Sequence, residues 1–566
     1  SSNHGFLYRG ICRNERGVGL VHRDLLAVFF IFKGGGVQFH ELVSSQECTA
    51  AYLFTDLHQD FRGGGKKGQV VNSISILGLH GNRALITHPL AYRRDNSRDG
   101  CRGRVDDPFP FSDDPDYLDT TTVSGPNCAF HFDVTGTFNV PLIGVNHMLA
   151  HLEVGRHFSE FSTPVCLNAS GANAHLLGYY DGYYRVLGET MDTGVGNALD
   201  KFARHVGWAH PGGPKIEKTA LDGNFFDLPY IVKGMDFSFS GLTTAAITAY
   251  DQGHPIEDVC FSLQETIFSI LAEVSERALS LLHCDEFILG GGVGNNARLQ
   301  DILESMCTDR GAEYFAPDPR FLSDNAGMIA ILGSYMFDVG DTISIEDSHV
   351  LSNFRPDMVK VTWPVPSRTL SPVPQTTIQG SEALVEFDTD TVWKKRLPKP
   401  YRNPTMDLRL RRHRMNVEAR LTHEARKIGI PTPILKGIDP LHFTLEFQKV
   451  GDADLSDGLN QQRVENVINY LSLLHSSGIA HGDPTTRNIR IDSSSNQVYL
   501  IDFGLGFHTD NIEDYAMDLH IFKGSLIGTS SDYKELWDHA ESIYGAQGDS
   551  SVLTRLQEIE LRGRYL

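Results

Sequence analysis

The sequence predicts a layered α/β body followed by a smaller α+β body, and three observations support this. From Val140 onward, strand-like runs at 165–168, 184–188 and 287–290 alternate with helical runs at 196–206, 256–283 and 325–337. Alternation of that kind is the texture of stacked α/β layers. The segment WPVPSRTLSPVPQTTIQG at 363–380 then holds four prolines, several Ser/Thr and few large apolar side chains, the composition of an extended, semi-rigid linker. Beyond it, a stretch of about 185 residues carries an ordered set of lysine, glutamate, aspartate and asparagine residues on its own strand and helix pattern.

Length and charge bound the rest. A chain of 566 residues has room for roughly three to four compact units of about 150 residues, with 41% hydrophobic and 21% charged residues marking an ordinary globular protein. The net charge of −21 argues against nucleic-acid binding by the whole surface and leaves room for a local basic patch. Eight cysteines, at 12, 48, 101, 128, 166, 260, 284 and 307, form no C-x-x-C pair. That points to buried thiols in a reducing, cytoplasmic compartment. The sequence contains no apolar run of membrane-spanning length and no signal-peptide pattern at its start, so no membrane partner is expected.

Taken in order, residues 1–138 show little periodicity. Apolar runs at 25–32 and 74–79 suit strands, glycine runs stand at 34–36 and 63–65, and 106–119 is acidic and Pro-rich. The clearer text starts with VNHMLAHLEVGR at 145–156, which follows the strand-like run at 140–144. His147 and His151 are four apart; on a helix both imidazoles share one face, where they can hold one metal ion. The plainer alternative is two helix histidines that hydrogen-bond locally. Next, VCLNASGANAH at 165–175 ends a strand in a small-residue turn whose amides can approach phosphate or ribose. DTGVGNALD at 192–200 opens a helix, and a helix N-terminus favours an anion. LGGGVGNNAR at 289–298 places bare backbone after a strand, as a nucleotide crevice requires. Each glycine cluster alone is also what a tight connection needs. At Ser323-Asp324-Asn325, Ser or Asp suits the N-cap of the last helix.

VNHMLAHLEVGR, SGANAH, DTGVGNALDKFARHVG, HPGGPKIE, GGGVGNNARL and LSDNAGMIA, in this order over residues 139–340, resemble the TsaD/OSGEP family. The resemblance implies an actin/Hsp70-like (ASKHA) two-lobed fold. It implies transfer of a threonylcarbamoyl group from threonylcarbamoyl-adenylate to the adenosine next to the anticodon in tRNAs that read A-starting codons. By motif, His147, His151 and Asp324 match the family's ligands for Fe2+ or Zn2+, and Asn168, Ala169, Ser170, Gly171, Ala172, Asp200, Gly213, Glu217 and Asn296 match residues around the adenylate. No protein nucleophile is implied: the tRNA amine attacks a mixed anhydride whose carbamoyl oxygen the metal polarises. Two departures stand out. Asn168 replaces a tyrosine found in many members, and the family's opening G-I-E-G-T turn and H-x-R-E-A-x-x-x-H helix are missing from residues 1–138. The lost periodicity there fits a shifted reading frame, which resequencing of the coding DNA checks.

In the second body, HGDPTTRN at 481–488 and LIDFG at 500–504 carry Asp483, Asn488 and Asp502. Asp483 can accept a hydroxyl proton or orient the attacking group, while Asn488 and Asp502 can hold Mg2+ on ATP. Lys394 in VWK can supply the strand lysine, with Lys395 as the alternative, and Glu418 in the helical stretch 408–428 can pair with it. These residues, with GSEAL at 380–384, KKRLPKPYRNP at 394–404 and IEDYAMDLH at 512–520, resemble the small atypical Ser/Thr kinase of the KEOPS complex. The resemblance implies an α+β protein-kinase-like domain without a Gly-rich loop or activation segment, ATP hydrolysis in support of tRNA modification, and other KEOPS subunits as partners. The basic tail at 562–565 resembles that family's tail.

The domain expectation is therefore 1–138 in the place of the first lobe, 139–352 the metal- and adenylate-binding body, 353–379 the linker and 380–566 the kinase-like domain. Archaeal members of the two families occur fused in this order, so the expectation is an N6-threonylcarbamoyladenine synthase joined to a kinase/ATPase. The rival is a regulatory or scaffold protein in which only the C-terminal domain turns over. A sugar-kinase-like phosphotransferase is disfavoured by the missing phosphate-binding first turn.

Overall fold

Val259, Leu263, Ile267, Ile270, Leu271, Val274 and Ala278 recur at helical intervals and are all buried, so the run Ile256–Leu281 forms a continuous 26-residue helix through the centre of its unit. The computed structural model describes residues 142–171, 173–344, 354–366 and 377–562, with the backbone of eight strands between residues 6 and 94. The chain divides into two compact units, Ser1–Phe158 with Asp324–Pro364, and Ser159–Ser323 with Val365–Leu566.

In the first unit, β1 (Phe6–Arg9), β4 (Leu25–Phe29), β7 (Val70–His80) and β8 (Arg83–Arg94) form an antiparallel sheet in that order. β2 (Ile11–Asn14) pairs with β3 (Gly17–Leu20), and β5 (Phe39–Leu42) with β6 (Ala51–Phe54). The side chains of residues 1–138, and with them the expectations about first-lobe motifs, lie outside the described residues. Helix α1 (His147–Ser159) starts where Asn146 Oδ1 accepts from Met148 N (3.0 Å) and Leu149 N (3.2 Å), an Asn cap on the orphan amides of the first turn. Its buried Glu153 is satisfied by Arg156 Nε (2.7 Å) and Trp363 Nε1 (2.9 Å).

The second unit holds a five-stranded sheet in the order β11 (Tyr183–Glu189), β10 (Ala174–Tyr180), β9 (Val165–Ala169), β12 (Glu286–Gly290), β13 (Glu313–Phe315). β9, β12 and β13 run parallel, while β9, β10 and β11 are antiparallel neighbours. Around the sheet lie α2 (Val195–His205), α3 (Gly213–Ala220), α4 (Ser240–Asp251), α5 (Ile256–Leu281), α6 (Ala297–Arg310) and the short α7 (Pro319–Leu322). Helix α8 (Ala326–Asp338) belongs to the first unit. Its N-cap is Asn325, which accepts from Met328 N at 2.9 Å; neither Ser323 nor Asp324 takes that role.

The same second unit includes a five-stranded antiparallel sheet, β14 (Thr377–Gln379), β15 (Leu384–Phe387), β16 (Thr391–Lys395), β18 (Thr444–Gln448), β17 (Leu435–Asp439). Helix α9 (Pro404–Lys427) packs Met415 and Ala419 into a small core with Leu445 and Phe447 of that sheet. A helical part follows with α10 (Gln461–Ser476), α11 (Ile512–Thr529), α12 (Tyr533–Gln547) and α13 (Ser550–Arg562). Strand β14 carries this sheet back to Thr377, inside the stretch expected to be linker. At the other end of that stretch, Trp363 is buried at 3% exposure. The cores interlock as well: Tyr401 is buried in the core around α5, and Met191 packs against the core of α10–α13.

Cys166, Cys260, Cys284 and Cys307 are free and buried. Among the described residues, no helix is long and apolar enough to cross a membrane.

Candidate functional sites

Helix α1 carries His147 and His151 on one face, and the turn before α8 brings Asp324 to them. Asp324 Oδ1 lies 3.3 Å from His147 Nε2 and 3.1 Å from His151 Nε2. One ligand atom from each of the three falls within 4.8 Å of the others. His151 is buried, its Nδ1 has no hydrogen-bond partner among the described residues, and burial lowers its pKa. A neutral buried imidazole is a metal donor in waiting, and two imidazoles with one carboxylate suit a divalent ion with open positions. Hydrogen bonds from His147 and His151 hold the Asp324 carboxyl well below the usual range, so it too is present as an anionic donor.

In the second unit, the residues matched to the adenylate gather beyond the C-terminal ends of parallel β9 and β12, where open α/β sheets bind ligands. Asn168, one residue before the end of β9, has 0% exposure. The turn after it is met by the start of α2: Gly196 N donates to Ser170 O (3.3 Å) and Asn197 N to Gly171 O (2.9 Å). Asp200 on α2 accepts from Gly212 N (2.6 Å) and meets His210 Nδ1 (2.7 Å), which fixes the loop ahead of half-buried Gly213. Glu217 on α3 accepts from Ala297 N at 2.8 Å. Asn296 caps α6 by accepting from Leu299 N (3.1 Å) and donates to Gln264 Oε1 (3.1 Å). Asn168, Ala169, Ser170, Gly171, Asp200, Gly213, Glu217 and Asn296 are thus tied through neighbouring backbone, whereas Ala172 lies outside the described residues. Gln264 was missed by sequence reasoning, since a glutamine on a long apolar helix carries no motif.

Gly291 makes this junction possible. Its φ is +86°, and an added Cβ would stand 2.3 Å from Ala169 O and 2.5 Å from Asn168 Oδ1. Gly291→Ala is expected to cost about 1–3 kcal/mol through left-handed strain and overlap. Thermal unfolding of the full chain measures this, and an unchanged melting temperature would contradict the close approach.

The second candidate centre of this unit lies between the β14–β18 sheet and the helical part that follows it. Lys394 Nζ, on β16, lies 2.9 Å from Glu418 Oε1 on α9 and 2.6 Å from Asp502 Oδ1. The neighbouring Lys395 is exposed. Asp502 has a left-handed backbone (φ 64°). Burial alone would raise its pKa, but Lys394, Arg396 and Arg277 outweigh that and hold the carboxyl low. Asn488 Nδ2 donates to Asp483 Oδ2 at 2.9 Å, and Ile501 N donates to Asn488 O at 3.0 Å, which links the two loops. Asp518 on α11 fixes the first loop by accepting from His481 N (2.6 Å) and Gly482 N (2.8 Å). Arg396, fully buried, reaches Glu418 Oε2 at 2.5 Å, so two cations grip one carboxylate.

Helix α5 reaches this centre as well. Arg277 Nη1 donates to Asp483 Oδ2 (2.6 Å), and its Nη2 meets Glu382 of the 380–384 turn. Burial pushes the Asp483 pKa up against the pull of Arg277. Around it, Arg402 Nη2 reaches Glu273 Oε2 (2.7 Å), Arg414 reaches both Glu273 (3.0 Å) and Glu382 (2.8 Å), and Lys399 reaches Glu276 (2.5 Å). Replacing Arg277 with methionine is expected to destabilise the chain by about 3–5 kcal/mol, because it leaves buried carboxylates uncompensated. At Glu273, burial raises the pKa but Arg414, Arg402 and Arg277 bring it below its ordinary 4.5. A depressed carboxylate contributes stability above its unfolded pKa and loses it as the pH falls toward the folded value. The Arg277→Met deficit should therefore shrink on acidification below that range; a deficit constant with pH would show that Glu273 is not the charge involved.

The described residues thus hold two separate polar centres, a two-histidine, one-aspartate cluster whose donor set suits a divalent ion and a lysine–glutamate–aspartate group beside an Asp–Asn loop, the layout of a chain with two candidate sites. Comparison with known proteins gives the family. Residues 134–331 match the family described as TsaD: tRNA N6-adenosine threonylcarbamoyltransferase. The chain is 57% identical over 439 residues to the probable bifunctional tRNA threonylcarbamoyladenosine biosynthesis protein of Haloarcula marismortui, covering 76% of this chain and 80% of that one. The protein of the same description from Natronomonas pharaonis is 57% identical over 435 residues (76% and 81% covered), and that of Methanospirillum hungatei 44% over 433 residues (76% and 82%). The chain belongs to this family of bifunctional tRNA threonylcarbamoyladenosine biosynthesis proteins.

Proposed function

We infer that this protein modifies tRNA, transferring threonylcarbamoyl from its adenylate to the adenosine next to the anticodon, and that its C-terminal body uses ATP in support of that reaction. The observation that carries the reading is the convergence of His147, His151 and Asp324 within 4.8 Å, in a chain whose residues 134–331 match the transferase family.

The proposed architecture is an ASKHA-type body, with 1–138 in the place of its first lobe and 139–352 as its metal- and adenylate-binding part, followed by a linker shortened from 353–379 to the part between Pro364 and Thr377, and a kinase-like domain whose sheet starts at Thr377. In the transferase reaction, the N6 amine attacks the carbamoyl carbon, the C–N bond forms, the C–O bond to phosphate breaks, AMP leaves and the amine proton passes to solvent. Asn168, Ala169, Ser170, Gly171, Ala172, Asp200, Gly213, Glu217 and Asn296 are assigned to the adenylate. They orient it where the turn after β9 meets the starts of α2, α3 and α6, the side chains and small residues there shaping a crevice for the nucleotide. His147, His151 and Asp324 would hold the Fe2+ or Zn2+, which supplies a Lewis acid for a carbonyl oxygen. In the second body, Asp483 orients the group that attacks ATP, Asn488 and Asp502 take Mg2+, and Lys394, fixed by Glu418, faces phosphate.

The test is transfer of labelled threonylcarbamoyl to unmodified tRNA by the full chain, with adenylate and partner subunits supplied. Incorporation is the expected result. ATP turnover without any incorporation would replace this reading with that of a scaffold whose C-terminal body alone is active.

A further inference from the structure

The overall charge of −21 poses a problem for a protein that must hold tRNA, because a uniformly acidic surface repels a polyanion. Helix α9 breaks that pattern. Its exposed positions include Arg409, Arg412, His413, Asn416, Arg420, His423 and Lys427, spaced three or four apart except for the adjacent pair Arg412 and His413. At 3.6 residues per turn these seven fall within an arc of about 100°, and from first to last they run about 27 Å along the axis. All but Asn416 are basic or histidine. Of the helix's three carboxylates, Asp407 and Glu418 are buried, and Glu424 pairs with His508 at 2.8 Å. Arg409 leans to Asp227 at 3.4 Å. Among the described residues, Arg412, Arg420 and Lys427 have no ion pair.

We propose that this ridge of α9 is a docking surface for the phosphate backbone of tRNA. The inference rests on the tRNA reading given above and adds where part of the substrate lies. Charge complementarity selects the occupant. Arginines in line along a helix match successive phosphates, each able to form bidentate charge-assisted bonds. A protein-docking face carries an aromatic or aliphatic anchor at its centre, and this ridge has none: its one non-basic member is Asn416, and the exposed Leu408 lies off the arc. Contacts of this kind read shape and phosphate rather than base sequence, as proteins read paired RNA.

The experiment compares the full wild-type chain with the triple variant Arg412→Glu/Arg420→Glu/Lys427→Glu in binding unmodified tRNA across a series of salt concentrations. The triple Gln variant serves as a milder control should the first misfold. Expected is a loss of affinity of tenfold or more, with the log–log salt slope reduced by about 2–3 as three phosphate contacts are lost. ATP hydrolysis and melting temperature should match the wild type. Wild-type affinity and slope in a folded variant overturn the proposal and make the ridge a site for an acidic protein. Failure of the wild-type chain itself to bind tRNA overturns the tRNA reading, and the ridge with it.

Discussion

Replacing His151 with alanine is expected to abolish threonylcarbamoyl transfer, by about 10³-fold or more, while ATP hydrolysis continues. His151 is the most enclosed member of its cluster, at 1% exposure, with Nε2 at 3.1 Å from Asp324 Oδ1. Alanine removes one of three donors, and a cluster reduced to His147 and Asp324, both partly open to solvent, holds a divalent ion poorly. Loss of Lewis-acid stabilisation is worth several kcal/mol, and about 4 kcal/mol corresponds to the stated factor. Metal content by elemental analysis should fall in parallel. A variant that keeps its metal but loses transfer would point to a packing role for His151, and one that keeps both would remove the cluster from the mechanism.

Asp502→Ala is expected to stop ATP hydrolysis almost completely, again by about 10³-fold, with melting temperature altered far less than activity. Asp502 is held ionised beside Lys394, so at neutral pH it is an anionic oxygen donor available to Mg2+. Without it, the metal loses a fixed carboxylate and Lys394 retains Glu418 alone, 2.9 Å away. Electrostatic placement of phosphate and metal makes up most of phosphoryl-transfer catalysis, which is why the expected loss is large. Phosphate release at saturating ATP and Mg2+ decides it; turnover within tenfold of wild type would assign the metal elsewhere.

Much of this molecule was legible in the sequence because its signals are local. The helix expected at 256–283 is observed at Ile256–Leu281, and the strand expected at 287–290 at Glu286–Gly290, since apolar periodicity and burial agree there. The i, i+4 histidines read directly from helical geometry. What escaped was non-local or chemically degenerate. Strand β10 was not anticipated, as AHLLGYY alternates too weakly to declare itself. Helix α3 was not anticipated either, because it opens on Gly213 and Pro214 and runs for only eight residues. In SDN, Asp and Asn cap equally well by propensity; Asn325 takes the cap because Asp324 is engaged by histidines 177 and 173 positions away. Arg277 reads locally only as the i, i+4 partner of Glu273; its reach to Asp483 and Glu382, 206 and 105 positions further along, gave no signal.

The charge ladder on α5 has a consequence for how such a gene can change. Glu273, Glu276 and Arg277 are answered from the C-terminal body by Arg402, Arg414, Lys399 and Asp483, and each member is buried. A drift of sign at any one of them strands its counterpart, so the two stretches are bound to vary together across relatives. A gene cut at the linker would encode two polypeptides whose facing charges are hydrated until they meet, so that assembly must repay that desolvation. Halves taken from distant relatives should then fail to assemble even where every catalytic side chain is in place.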